Sequence, residues 1–158
     1  MSGERNRLVD VALNEASLAP ASPNVEQERR IALFDLKEGN SFAVKGADRG
    51  PYLLALAVAD GRLEFDVSTD AGERVTLHYV PLGAFRKLIK DYFLICDSYF
   101  AAIKTASPSQ IEAIDMGRRA MHNDGAELLL KAFEGVFDVD QETARRLFTL
   151  ICALQARG

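Results

Sequence analysis

Five side chains spaced three and four residues apart share one arc of any helix that spans them: Glu112, Asp115, Arg118, Arg119 and His122. The arc gathers acids, cations and one imidazole. Arg118 and Arg119 would grip a carboxylate or phosphate through charge-assisted hydrogen bonds, with His122 donating a hydrogen bond or moving a proton near neutral pH. A plainer explanation fits the same spacing. Asp115 to Arg118 is i,i+3 and Asp115 to Arg119 is i,i+4, and such pairs stabilise a helix by roughly 0.2–0.5 kcal/mol each with no ligand involved. Arg145 and Arg146 repeat the theme behind Glu142. If their helix packs beside the first arc, four arginines converge into an anion cradle; otherwise they are solvated cations whose stems cover apolar surface. The candidate site is therefore Asp115, Arg118, Arg119, His122, Arg145 and Arg146, with an anion as its ligand.

The remaining reactive side chains point elsewhere. His78 sits between Leu77 and Tyr79 on a strand, facing with Thr76 and Val80, and reads as structural. Cys96 and Cys152 fall at apolar helical positions and read as free buried thiols. Two histidines and two cysteines without ligand spacing argue against zinc. No phosphate loop, nucleophile elbow, dinucleotide fingerprint or metal-binding helix motif is present. No catalytic residue, metal or cofactor is expected.

The elements that must position these groups come next. From Ser41 to Val80 the apolar period is two. Tyr52–Ala59 is apolar throughout, Asp60-Gly61 is a two-residue hairpin signal, and Leu63, Phe65 and Val67 alternate with Arg62, Glu64, Asp66 and Ser68. Asp70-Ala71-Gly72 turns the chain into Val75–Val80, completing an antiparallel meander with one wet face. A strand near Phe42–Lys45 precedes it, and Leu8–Leu13 forms a first short strand. One early helix runs from Pro23, behind a Ser22 cap, to Glu38 and ends at Gly39-Asn40. Its second half, with Ile31 and Phe34 off the Ala32/Leu36 face, reads as covered on two sides.

The late half of the chain is helical. Phe85, Leu88, Ile89, Tyr92, Cys96, Tyr99, Phe100 and Ile103 make a core-facing stripe. Leu94 interrupts the charged face opposite, so burial on more than one side is expected around Tyr92–Cys96. Ser107-Pro108-Ser109-Gln110 starts the next helix with a capping box. There Ala113, Ile114, Met116, Gly117, Ala120 and Met121 form the apolar arc opposite the charged one. Asn123-Asp124-Gly125 reads as its C-cap, with a short helix Ala126–Glu134 following. Asp140 caps a last helix with Ala144, Leu147, Phe148, Ile151 and Leu154 inward. The fold class is α+β: an N-terminal antiparallel β-meander with one early helix, then about four helices packed on the sheet.

At 158 residues a single domain spanning 1–158 is expected, with residues 1–7 a flexible tail. The net charge is −4, and it is uneven. Residues 1–80 hold 9 basic and 13 acidic side chains, whereas 81–158 hold 10 of each. With no basic half to neutralise phosphates, nucleic acid is not an expected partner. No export signal is seen, and the longest apolar run is far shorter than a membrane span, so a cytoplasmic protein without membrane association is expected.

The strings Phe85–Phe100 (FRKLIKDYFLICDSYF), Pro108–Gly125 (PSQIEAIDMGRRAMHNDG) and Thr143–Cys152 (TARRLFTLIC) resemble a bacterial family catalogued as uncharacterised protein family 0262. Val25–Asn40, Gly50-Pro51-Tyr52 and Arg62–Val67 fit it as well, and the resemblance runs from about Arg7 to Gly158. It departs at Gln27, where the family pattern has histidine, and at Gln155-Ala156, where it has His-Trp. The resemblance implies no activity and no agreed catalytic residues.

Surplus apolar side chains on the helical half, Leu94 with Phe93, Ile95 and Leu150, point first to a non-enzymatic interaction or regulatory protein. It would bind a protein partner or a second copy of itself. The alternative is a binder of an anionic metabolite, or an enzyme acting on one, using the arginine and histidine arc.

Overall fold

The computed structural model describes residues 5–13 and 23–154. Residues 1–4, the Ser22 cap and Gln155-Ala156 lie outside them. Strand β1 (Leu8–Leu13) leads to helix α1 (Pro23–Glu38), then β2 (Phe42–Val44), β3 (Tyr52–Ala59), β4 (Arg62–Thr69) and β5 (Arg74–Pro81). A 3-10 turn at Leu82–Phe85 opens α2 (Arg86–Thr105), which is followed by α3 (Pro108–Ala132), β6 (Phe137–Val139) and α4 (Gln141–Leu154).

The meander forms where the period of two places it. Ala59 pairs with Arg62 across Asp60-Gly61, both at positive φ, the conformation a two-residue turn of this hand requires. Tyr52, Leu54 and Leu56 alternate inward with Leu63, Phe65 and Val67 opposite them, while Leu53, Ala55, Glu64 and Asp66 form the wetter face. The sheet order is β1-β3-β4-β5, with β1 added parallel to β3. The Asn40 side chain, just past the end of α1, holds the β1 edge. Its amide accepts from Leu8 N at 2.7 Å and donates to Leu8 O and to Leu36 O, one of the last carbonyls of the helix.

Several expectations are corrected. The strand at Phe42 does not join the meander; it pairs antiparallel with β6 in a separate two-stranded sheet. Residues 5–7 are not loose. Arg5 donates to the carbonyls of Gly50 and Asp48, and Asn6 O and Arg7 O accept from Phe42 N and Tyr52 N. The C-cap at Asn123-Asp124-Gly125 does not exist, and α3 runs on through it, absorbing the short helix expected from Ala126. Among the described residues the late helices are α2, α3 and α4. Tertiary packing overrides the local stop signal here, because Gly125 is the only residue type that lets the Phe148 ring of α4 seat against the α3 backbone.

Helix α4 packs between α1 and α3, and α3 lies along α2. One buried cluster runs from the inner sheet face through Phe65, Phe133 and Phe137 to Phe85, Tyr92 and Phe148. The α2 stripe is buried at Phe85, Ile89, Tyr92 and Cys96 but emerges by Ile103. Leu94 is not enclosed: it is 59% exposed. The second half of α1 is not covered twice either, with Phe34 63% exposed and Ile31 also outside. His78 Nε2 lies 3.3 Å from Ala132 O, a carbonyl that can only accept, and its ring is edge-on to Phe137.

Candidate functional site

Neither arc of α3 faces wholly in or out: Ile114, Gly117 and Met121 are half-buried on one, and Glu112 and Arg119 are exposed on the other. Met116, Ala113 and Ala120 are exposed, whereas Asp115, Arg118 and His122 face into the structure. Close approach of α2 explains part of this. A Cβ on Gly117 would lie 2.6 Å from Ile95 Cδ1, so α3 meets α2 along its glycine edge. Partners explain the rest. The Arg118 side chain, 18% exposed, donates to Asp115 Oδ1 and to Glu28 Oε1 of α1 at 3.1 Å, with its guanidinium 4.4 Å above the Tyr99 ring. A buried charge is tolerable when it is paired and hydrogen-bonded in this way. Hydrogen bonds from Arg118 and Arg119 hold the Asp115 carboxyl below its usual range.

His122 closes a second network. Tyr92 donates to Glu28 Oε1 at 2.9 Å, and burial, reinforced by the Glu28 charge, pushes the phenol far up, so it keeps its proton. That proton is committed to Glu28. The Tyr92 oxygen therefore accepts from His122 Nε2, 3.0 Å away. Thr149 Oγ1, which donates to Arg145 O, also lies 3.4 Å from Nε2. His122 is thus an Nε2–H tautomer with its Nδ1 lone pair on the far side of the ring. Burial first, then the nearby cations of Arg145 and Arg118, lower its pKa from 6.5 to about 4. It is neutral at physiological pH.

Arg118, His122, Arg145 and Arg146 line one cleft of about 280 Å3 between α1, α3 and α4, together with Glu28, Asp35, Glu142 and Thr149. Of the six site residues expected from sequence, four meet there. Arg119 points out, its side chain 61% exposed and paired with Asp115, which supports the site from behind. Arg145 and Arg146 both reach Glu142, and Arg146 also donates to Gly39 O at the end of α1. Sequence reasoning missed Glu28, Asp35, Tyr92 and Thr149. Tyr92 and Thr149 sit within apolar helical stretches, and the two acids belong to a helix whose packing partner no local signal reveals. Beside Glu28 lies a second, smaller cavity of about 10 Å3 bounded by Tyr92, Phe93, Cys96 and Cys152, room for about one water and no ligand. Among the described residues no group of three His, Cys, Asp or Glu is arranged for a metal ion, and no helix is long and apolar enough to cross a membrane.

Fold and cleft together define an α+β protein with a polar, charge-lined cleft between helices beside its sheet. The chain belongs to the Uncharacterised protein family (UPF0262), whose family model matches residues 5–157. It is 55% identical over 151 residues to a UPF0262 protein of Hyphomonas neptunium, covering 96% of this chain and 93% of that one. It is 54% identical to one of Methylobacterium radiotolerans, covering 97% and 95% of the two chains. With one of Rhizobium meliloti the identity is 50% across the whole of both chains. No solved structure matches the chain.

Proposed function

We propose that this protein binds a small anionic metabolite in the cleft between α1, α3 and α4. One observation carries the reading: two helices deliver three guanidiniums, Arg118, Arg145 and Arg146, and a neutral histidine to a single concavity. Convergent guanidiniums favour a carboxylate or phosphate, which their planar forks bind bidentately. The cleft lies just below the roughly 300–1,000 Å3 of drug-sized ligand sites, which suits a small metabolite better than a nucleotide. Arg118 is held by two carboxylates, Glu28 and Asp115, whereas Arg145 and Arg146 share the single carboxylate of Glu142, so these two are the contacting cations.

The test is a thermal-shift screen of anionic metabolites on wild type and Arg145→Gln. A ligand at about 100 times its Kd adds roughly 2.7 kcal/mol, and a domain of this size gains about 2–4 °C per kcal/mol. An anion that raises Tm in wild type and not in the variant supports the cleft. No stabilising anion, or an equal shift in both proteins, sinks it.

A second reading has its own observation: Leu94, Ile103 and Met116 lie exposed on the neighbouring helices α2 and α3. Exposed apolar side chains on adjacent helices favour a protein partner or a second copy of the chain. Sedimentation of wild type beside Leu94→Glu separates the cases, because self-association through this face gives a larger species that the charge disperses. A monomer in both removes the self-association reading.

A further inference from the structure

We infer that the ligand of this cleft is zwitterionic, carrying an ammonium or similar cation as well as its acid group. The inference rests on the reading of the cleft as a ligand site and follows from which polar groups remain uncommitted there. Glu28 gives one oxygen, Oε1, to both Tyr92 and Arg118, leaving Oε2 without a partner among the described residues. The Asp35 carboxylate, half-buried one helical turn beyond Ala32 on the same wall, has no hydrogen bond or ion pair among the described residues. His122, whose Nε2 is engaged by Tyr92 and Thr149, leaves Nδ1 as a lone pair without a donor among the described residues. All three are acceptors.

On the other wall the leftover groups are donors. Arg145 Nε is a buried N–H with no acceptor among the described residues, and Glu142 engages one terminal nitrogen of Arg145 and one of Arg146. Leaving the buried Arg145 N–H without an acceptor is costly, which favours an acid group there, while the carboxylates of Glu28 and Asp35, open to the cleft, favour a cation by their charge. A dianion would meet Glu28 and Asp35 with like charge and would leave the acceptor wall unpaired. A dication would do the same to the arginine wall. An amino acid or similar zwitterion satisfies both, its acid group at Arg145 and its cation toward Asp35 and Glu28. The two walls are also antiparallel helices, Arg146 lying level with Gly39 and Thr149 with Glu28, so charges of both signs run along the cleft.

The experiment is a calorimetric titration with three matched sets of probes. These are α- and ω-amino acids from glycine to 6-aminohexanoate, the corresponding monocarboxylates and dicarboxylates, and the corresponding amines. The expected result is that at least one amino acid binds about tenfold or more tightly than its carboxylate and amine counterparts, the loss that follows from stranding a charged partner. Asp35→Asn should bring the amino acid down to the affinity of the carboxylate, and Arg145→Gln down to that of the amine. Arg145→Lys keeps the charge and controls for folding, with circular dichroism confirming helix content in every variant. If succinate or another dicarboxylate binds as tightly as any amino acid, or Asp35→Asn leaves amino-acid affinity unchanged, the zwitterion inference is wrong and the anion site stands. If no probe of any set binds, the cleft reading fails with it.

Discussion

Replacing Gly125 with alanine adds one methyl at the tightest point between α3 and α4, and two opposed effects decide the outcome. Alanine is favoured over glycine inside a helix by about 0.8–1.0 kcal/mol, and α3 is continuous through this residue. Against that, the new Cβ would stand 2.3 Å from Phe148 Cγ and 2.4 and 2.5 Å from the adjoining ring carbons. Relief requires a shift of more than about 1 Å, since carbon pairs are comfortable near 3.5–4.0 Å. Phe148 has nowhere to go: it is fully buried and packed against Tyr92 and Phe85. Overpacking of this kind costs about 1–3 kcal/mol or more, and the severity of the overlap puts it at the upper end. The net expectation is a loss of about 2 kcal/mol, lowering Tm by roughly 4–8 °C. Gly117→Ala is the matched comparison. There the clash is with Ile95 Cδ1, the free end of a flexible side chain, which can move aside, so the helix-propensity gain offsets the strain and Tm should barely change. Calorimetric melting of the two variants beside wild type measures both. If Gly125→Ala melts at or above wild type, α3 does not run straight against Phe148 and the packing described above is wrong.

Three further predictions follow the same logic. The His122 pKa of about 4 lies below its unfolded value of 6.5, so the unfolded chain takes up the proton first and stability present above about pH 6.5 is lost as pH falls toward 4. The loss at about pH 5 is at most roughly 2 kcal/mol by urea unfolding. It should vanish in His122→Gln, and an unchanged slope in that variant would show that another group titrates. Arg118→Ala strands Glu28, only 14% exposed, and should cost about 2–4 kcal/mol by the same assay, with Glu28→Gln recovering part of it. Equal stabilities for Arg118→Ala and wild type would show the network to be fully solvated. Burial pushes the Cys96 thiol up to about 11 and raises Cys152 as well, so an aromatic disulfide reagent at neutral pH should label neither until urea unfolds the chain. Labelling of the native protein at the rate of a free thiol would contradict the burial.

What the sequence settled by itself was the set of features in which a residue answers to neighbours a few positions away. The capping box at Ser107 and Gln110, the Asp60-Gly61 hairpin, the Asp140 cap on Thr143 N and the alternation of β3 and β4 are all of this kind. Their energies come from hydrogen bonds and pleats that close locally, and the residue types are specific to them. Pairings between distant segments were not legible: β2 with β6, β1 parallel to β3, or α4 between α1 and α3. The candidate site divides along the same line. The arginines and histidine announced themselves by helical spacing, but that spacing is shared with ordinary surface ion pairs. Only the packing of α1 against α3 and α4 separated Arg118 and His122, turned inward onto Glu28 and Tyr92, from Arg119, turned out to solvent. Gly125 shows the limit most plainly. By local rules it ends a helix, and it is the Phe148 ring, from more than twenty positions along the chain, that makes it part of one.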